Sequence, residues 1–137
     1  MDELDAFLGW FNTDWRDAEV ALHGGDATPR FQTWSDREPV TLFGAWLNAN
    51  GAAEVREVFS RLADSFSQAT SSAVELVAAD VTGDLAYTAH REITSTVVDG
   101  EPRDYVLRVT QVYRREDGNW KVVHRHGDED PGGDGSV

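Results

Sequence analysis

Apolar residues recur every three or four positions through residues 2–23, where Leu4, Phe7, Leu8, Phe11, Trp15, Ala18 and Leu22 share one face. That spacing predicts an amphipathic helix. Asp2, Glu3 and Asp5 lie where the helix dipole favours negative charge, and Gly24-Gly25 ends the run. Asp26 is placed to cap a short second helix reaching Trp34, with Pro29 tolerated in its first turn because no intrahelical partner is lost there. After Pro39, residues 40–44 read as a brief extended segment. A third helix is predicted from about Ala52, with Val55, Val58, Phe59, Leu62, Ala63 and Phe66 on its apolar face.

Beyond Ser67 the texture changes to stretches rich in Val, Thr and Tyr, covering the 70s, 85–98, 104–115 and 119–126. Gly83-Asp84, Asp99-Gly100 and Asp117-Gly118 fall at the joints, where residues tolerating positive φ are needed. The sheet is therefore expected to be antiparallel and sequential. Helices followed by such strands predict an α+β architecture in the order α-α-β-α-β-β-β-β. A twisted sheet is expected to curl around the helices and leave a pocket between the layers. Residues 1–127 read as one domain, and 128–137, which lack apolar periodicity, as an acidic flexible tail.

Composition narrows the function. The 137 residues, 40% of them apolar, suffice for one cored domain. A formal net charge of −13 repels phosphate backbones and anionic lipid, so neither nucleic acid nor a membrane is an expected partner. With no cysteine, thiolate catalysis, disulfides and cysteine-ligated metals are excluded. No basic and apolar leader or membrane-length apolar run is present, which makes a cytoplasmic location the default expectation.

The element order, together with Asp84, Tyr87 and the stretch from Tyr105 through Arg108, Thr110, Tyr113, Gly118 and Trp120 to His124 and His126, resembles the SnoaL-like branch of the nuclear transport factor 2-like superfamily. Residues 34–44, Trp34 to Gly44, are similar to the stretch such proteins carry between their first helices. The resemblance implies a cone-shaped curved antiparallel sheet wrapped around three N-terminal helices. It further implies a cavity between sheet and helices and a homodimer formed through the outer sheet face. Superfamily members include ketosteroid isomerases, polyketide cyclases, epoxide hydrolases and kinase association domains, so fold does not fix function. Ketosteroid isomerases pair a carboxylate base with a tyrosine on the first helix; here that helix has Trp10 and Trp15 and no tyrosine. The cyclase branch uses an acid-base group on a late strand, where this chain offers His124 and Thr110 and no aspartate.

Candidate chemistry concentrates in the last strand, where Trp120, Val122, His124 and His126 share a face if the alternation is regular. A three-residue loop at Glu116-Asp117-Gly118 would set Thr110 opposite His124 and Arg108 opposite His126, whereas a two-residue Asp117-Gly118 loop would bring Val109, Gln111 and Tyr113 to the histidines. The first register, extended across Asp99-Gly100, adds His90, Glu92 and Thr94 to the same face. The expected ligand pocket is therefore Trp34, His90, Glu92, Arg108, Thr110, His124 and His126, with Trp34 and Trp46 at its mouth or in a subunit contact. One histidine could shuttle protons with Glu92 orienting it and Arg108 holding an anionic oxygen. The His-x-His pair could ligate zinc or iron only with a third ligand from His90, Glu92 or Asp128, and no metal or other cofactor is expected. The leading expectation is a domain binding a small, partly hydrophobic molecule. The alternatives are an acid-base isomerase, cyclase or hydrolase of a polycyclic or carbonyl substrate, and an association module without ligand chemistry.

Overall fold

The computed structural model describes residues 2–131, with the backbone alone for Ala69 and Thr70. The first helical run is continuous: α1 (Glu3–Trp10), one π-helical turn (Phe11–Trp15) and α2 (Arg16–His23). Its start is capped by Asp2, whose Oδ1 accepts from the Asp5 N–H at 2.7 Å. Residues four apart on an α-helix drift about 40° per step, and the wider π turn compensates, keeping Phe7, Phe11 and Trp15 together in the core. The Phe11 and Trp15 rings stack with centroids 4.5 Å apart. Helix α3 (Thr28–Thr33) is short, and Asp26 supports its entry by accepting from the Thr28 N–H at 3.0 Å.

Strands β1 (Thr41–Phe43) and β2 (Asn48–Asn50) precede α4 (Ala52–Ser65), and β3 (Phe66–Thr82), β4 (Leu85–Val98), β5 (Glu101–Glu116) and β6 (Asn119–Glu129) complete the chain. Phe66, expected on the third helix, instead opens β3. The six strands lie in the order β2-β1-β6-β5-β4-β3.

That order corrects the expected fold. The sheet is mixed rather than antiparallel, because β1 runs parallel to β6, with Leu42 opposite Arg125. It is also open, with β2 and β3 as its two edges, so it does not wrap the helices as a cone. The element order gains a strand, β2, which pairs antiparallel with β1. Asn48, Ala49 and Asn50 carry no strand preference, and the pairing arises because the Gly44 N–H donates to the Leu47 carbonyl at 2.8 Å and folds the chain back. What the chain forms is an α+β arrangement of helices packed on one face of a mixed sheet.

Hairpin register is the second correction. Asp99 and Gly100, and likewise Asp117 and Gly118, all have positive φ, so both loops are two-residue turns of the primed type. Val98 thus pairs with Glu101 and Glu116 with Asn119. The inner face of β4 carries Ala86, Thr88, His90, Glu92, Thr94 and Thr96, and that of β5 carries Leu107, Val109, Gln111 and Tyr113, all buried. Within β6 a bulge intervenes, since Tyr113 pairs with Val122 but Val112 with His124, leaving Val123 as the extra residue.

β6 continues to Glu129, and Asp128 and Asp130 are held by Arg108 and Arg91. The rest of the expected tail, 132–137, lies outside the described residues. Among the described residues no helix is long and apolar enough to cross a membrane.

Candidate functional site

The bulge divides the closing strand between two environments. Trp120 and Val122 face the helices before it, Arg125 and Gly127 face them after it, and His124 and His126 turn to the opposite face. The residues grouped from the sequence therefore separate. His90 and Glu92 are buried on the inner face, whereas Arg108, Thr110, His124 and His126 gather on the outer one. Trp34 is buried, packed edge-on against Phe59 with centroids 4.9 Å apart.

On the outer face Thr110 pairs with His126, and Phe43 sets its ring edge-on to both His124 and His126 at 5.5 and 5.7 Å. His124 Nδ1 lies 2.7 Å from Thr41 Oγ1. Burial, and then the neighbouring His126, pull the His124 pKa below its ordinary value. Arg108 makes a two-pronged contact to Asp128 at 3.0 and 2.9 Å. A metal joining these histidines to His90 or Glu92 would need ligands from both faces of the sheet. Among the described residues no group of three or more His, Asp or Glu could hold a metal ion.

The inner face holds a closed ring of hydrogen bonds. Arg125 donates to both carboxylate oxygens of Glu92 at 2.7 Å and to Gln111 Oε1 at 2.9 Å. Gln111 Nε2 donates to the Tyr113 hydroxyl at 2.5 Å, which lies 2.7 Å from Thr88 Oγ1. Thr88 is 3.1 Å from His90 Nδ1, and His90 Nε2 is 2.9 Å from Glu92 Oε2. One set of donors satisfies the circuit: Tyr113 to Thr88, Thr88 to His90, His90 to Glu92. Burial would push the Glu92 carboxyl up, but Arg125's charge and hydrogen bonds, with those of His90, hold it well below the ordinary carboxylate range. Burial would likewise lower Arg125, and Glu92 keeps it above the ordinary guanidinium value. Buried Tyr113 is pushed up, held as a neutral phenol.

Beside this ring lies a second buried pair, Arg30 with Glu19. Arg30 stacks its guanidinium 4.9 Å from the Phe59 ring centroid. Burial outweighs the help of Glu19 and lowers the Arg30 pKa. Arg30 Nε and Glu19 Oε2 have no hydrogen-bond partner among the described residues. His23 bridges the helix to the sheet: its Nδ1 is 2.8 Å from the Glu19 carbonyl and its Nε2 is 2.7 Å from the Tyr105 hydroxyl.

These groups meet at a cavity between α2, α4, the β1–β2 turn and the inner face. Arg30, Glu92, Arg125, His23 and Tyr105 supply its polar side, and Leu22, Leu47, Val58, Leu62 and Leu107 its apolar wall. Its free volume is about 50 Å³. Trp46, half-exposed, stands at the mouth with its ring edge-on to Tyr105 at 5.3 Å. Across Trp46 and Tyr105 the cavity adjoins a groove of about 170 Å³ reaching Arg103 and Val98.

Of the residues expected to form the pocket, Glu92 lines this cavity and Trp46 stands at its mouth; His90 supports it through Glu92. Glu19, His23, Arg30, Tyr105 and Arg125 were not legible as a group. The signal for two of them was present, since Glu19 and His23 fall beside Trp15, Ala18 and Leu22 on the buried side of α2. A carboxylate and an imidazole one turn apart on an apolar face need buried partners.

The SnoaL-like domain family matches residues 11–127. Among solved structures, a nuclear transport factor 2-like superfamily protein from Salmonella enterica is 16% identical, with 97% of this chain and 99% of that one covered at a TM-score of 0.74. A ketosteroid isomerase-like protein from Erwinia carotovora is 16% identical over 89% of this chain and 95% of that one, at 0.72. The association domain of CaMKII from C. elegans is 16% identical over 93% and 99%, at 0.67. At such identities the likeness is one of fold. No curated protein matches the chain.

Proposed function

The chain belongs to the SnoaL-like domain family, and from that premise we propose that it binds a small, partly hydrophobic molecule in the cavity between α2, α4 and the inner face of the sheet. One observation carries the reading: a buried guanidinium, Arg30, borders an apolar cavity with its Nε lacking a partner among the described residues. Such a donor costs stability unless something accepts from it. With room for about four water-sized positions, the cavity suits a ligand of few heavy atoms, unless Trp46 swings aside and joins it to the adjoining groove.

The test is ligand-observed saturation-transfer NMR with a panel of small oxygenated fragments. Leu62 lines both cavity and groove, so Leu62→Trp should abolish binding while thermal unfolding remains cooperative. Fragments that bind both proteins equally, or neither, would sink the reading.

A second reading, association of two copies through the outer face, is favoured by the apolar side chains that face leaves in water. Val77 is 71% exposed, Leu85 52%, Phe43 47% and Tyr87 43%. On this reading His124, His126, Thr110 and Arg108 belong to a subunit contact rather than a pocket. The division into a domain over 1–127 and an acidic tail over 128–137, a cytoplasmic location and the absence of nucleic-acid partners belong to the same proposal, and the net charge of −13 supports the last of these.

A further inference from the structure

Resting on the second reading above, association of two copies through the outer face, we infer that one zinc ion is held between the copies by His124 and His126 of each. The two histidines lie two residues apart on β6 beyond the bulge, so both rings leave the same side of the strand. Phe43, opposite His126 on β1, stands edge-on to both rings, at 5.5 Å from His124 and 5.7 Å from His126. One aromatic ring thus packs the two imidazoles side by side. Paired imidazoles on a strand suit zinc, which takes histidine nitrogens at about 2.0–2.1 Å.

Each ring has a nitrogen to give. Thr41 Oγ1, 2.7 Å from His124 Nδ1, can accept from that nitrogen, and in this tautomer Nε2 carries the lone pair. A ligating imidazole is commonly held through its other nitrogen in this way, which fixes the ring and raises its basicity. His126 is exposed, and its ring makes no hydrogen bond among the described residues.

Within one chain the ligand set stops at two. His90 and Glu92 are buried on the opposite face, while Asp128 and Asp130, which border the same outer depression as His126, are held by Arg108 and Arg91. Zinc held by protein side chains alone takes four ligands in a tetrahedron. A two-fold axis supplies the missing pair, because it sets each residue beside it against the same residue of the second copy. The place of the histidines in the sheet allows this. Strands β6 and β5 are the middle two of the six, with exposed Phe43 to one side on β1 and exposed Tyr87, Leu85 and Val77 to the other on β4 and β3. An axis through the middle of the outer face therefore brings two β6 strands together and covers the apolar side chains on both flanks. Charge favours the same arrangement. Four neutral imidazoles leave the two positive charges of zinc at the contact of two chains that each carry −13, offsetting part of their repulsion.

The experiment is sedimentation velocity on the full chain at micromolar concentration, first in EDTA and then, with EDTA removed, in zinc sulfate, with bound zinc counted by elemental analysis. Zinc should tighten the dimer at least about 10-fold, saturate at about one ion per two chains, and be reversed by EDTA. His126→Gln changes an exposed side chain and should keep the thermal unfolding of the wild type while abolishing the response to zinc; His124→Gln should abolish it too. Thr41→Val should retain the stoichiometry but weaken zinc binding about 10-fold, since it removes only the partner that fixes His124. A dimer already present in EDTA that zinc leaves unchanged would overturn the zinc site and leave the association reading standing. A monomer with and without zinc would overturn both. Zinc-driven association that survives both histidine variants would place the ion on surface carboxylates and overturn the assignment.

Discussion

Arg125 is the residue on which the inner face depends. It is 6% exposed, forks onto Glu92 and reaches Gln111, so two buried polar side chains are satisfied through one guanidinium. Removing one partner of a buried pair leaves the other charge stranded, whereas replacing both with apolar groups of similar size removes the desolvation cost as well. Arg125→Met should therefore lower unfolding stability by about 3–5 kcal/mol. The double variant Glu92→Leu with Arg125→Met should recover most of that loss. Urea unfolding with an unchanged m value measures both, and a double variant no more stable than the single one would show that the ion pair is not the source of the loss.

At the scale of elements, the bulge in β6 decides which side chains reach the cavity. With Trp120 and Val122 inward, a regular strand would send Arg125 to the outer face; the extra residue Val123 restores it to the inner one. Removing Val123 should thus leave Trp120, Val122 and Arg125 all inward on an unbulged strand. The expected cost is about 2 kcal/mol for the lost valine burial, with fragment binding retained. Loss of cooperative folding on this deletion would mean that the kink itself, and not merely the parity, is needed. This element also explains how far the sequence could be read. The periodicity of residues 2–23 and of the stretch from Ala52 fixed both long helices, and the Gly and Asp pairs marked the three hairpins from β3 to β6 but not the one between β1 and β2. An Asp-Gly pair closes two-residue and three-residue loops alike, however, and nothing distinguishes Val123 from any other strand valine. His124 and His126 could not be assigned a face on that basis. Glu19, Arg30 and Arg125 each read singly as surface charge, because the partners that bury them come from distant parts of the chain.

For the whole molecule, the opposing terms in self-association are apolar area and charge. The outer face leaves Phe43, Val77, Leu85 and Tyr87 in contact with water, which favours covering it with a second copy. Each copy carries a formal charge of −13, which opposes the approach of two. The charged groups of that face are mostly paired already within one chain: Arg108 with Asp128, and Arg91 with Glu75 and Asp130. An interface built there would rest on burial of apolar side chains rather than on new ion pairs. Salt separates the two cases, because screening shortens to about 10 Å at 0.1 M and weakens both intermolecular repulsion and any ion pairing. If apolar burial drives association, the dimer fraction at micromolar protein should rise between low and moderate sodium chloride, and Val77→Asp should lower it at both. Sedimentation velocity reads this directly. A dimer that weakens with salt would point to ion pairs across the interface, and a monomer at every salt concentration would leave the outer face without a partner copy.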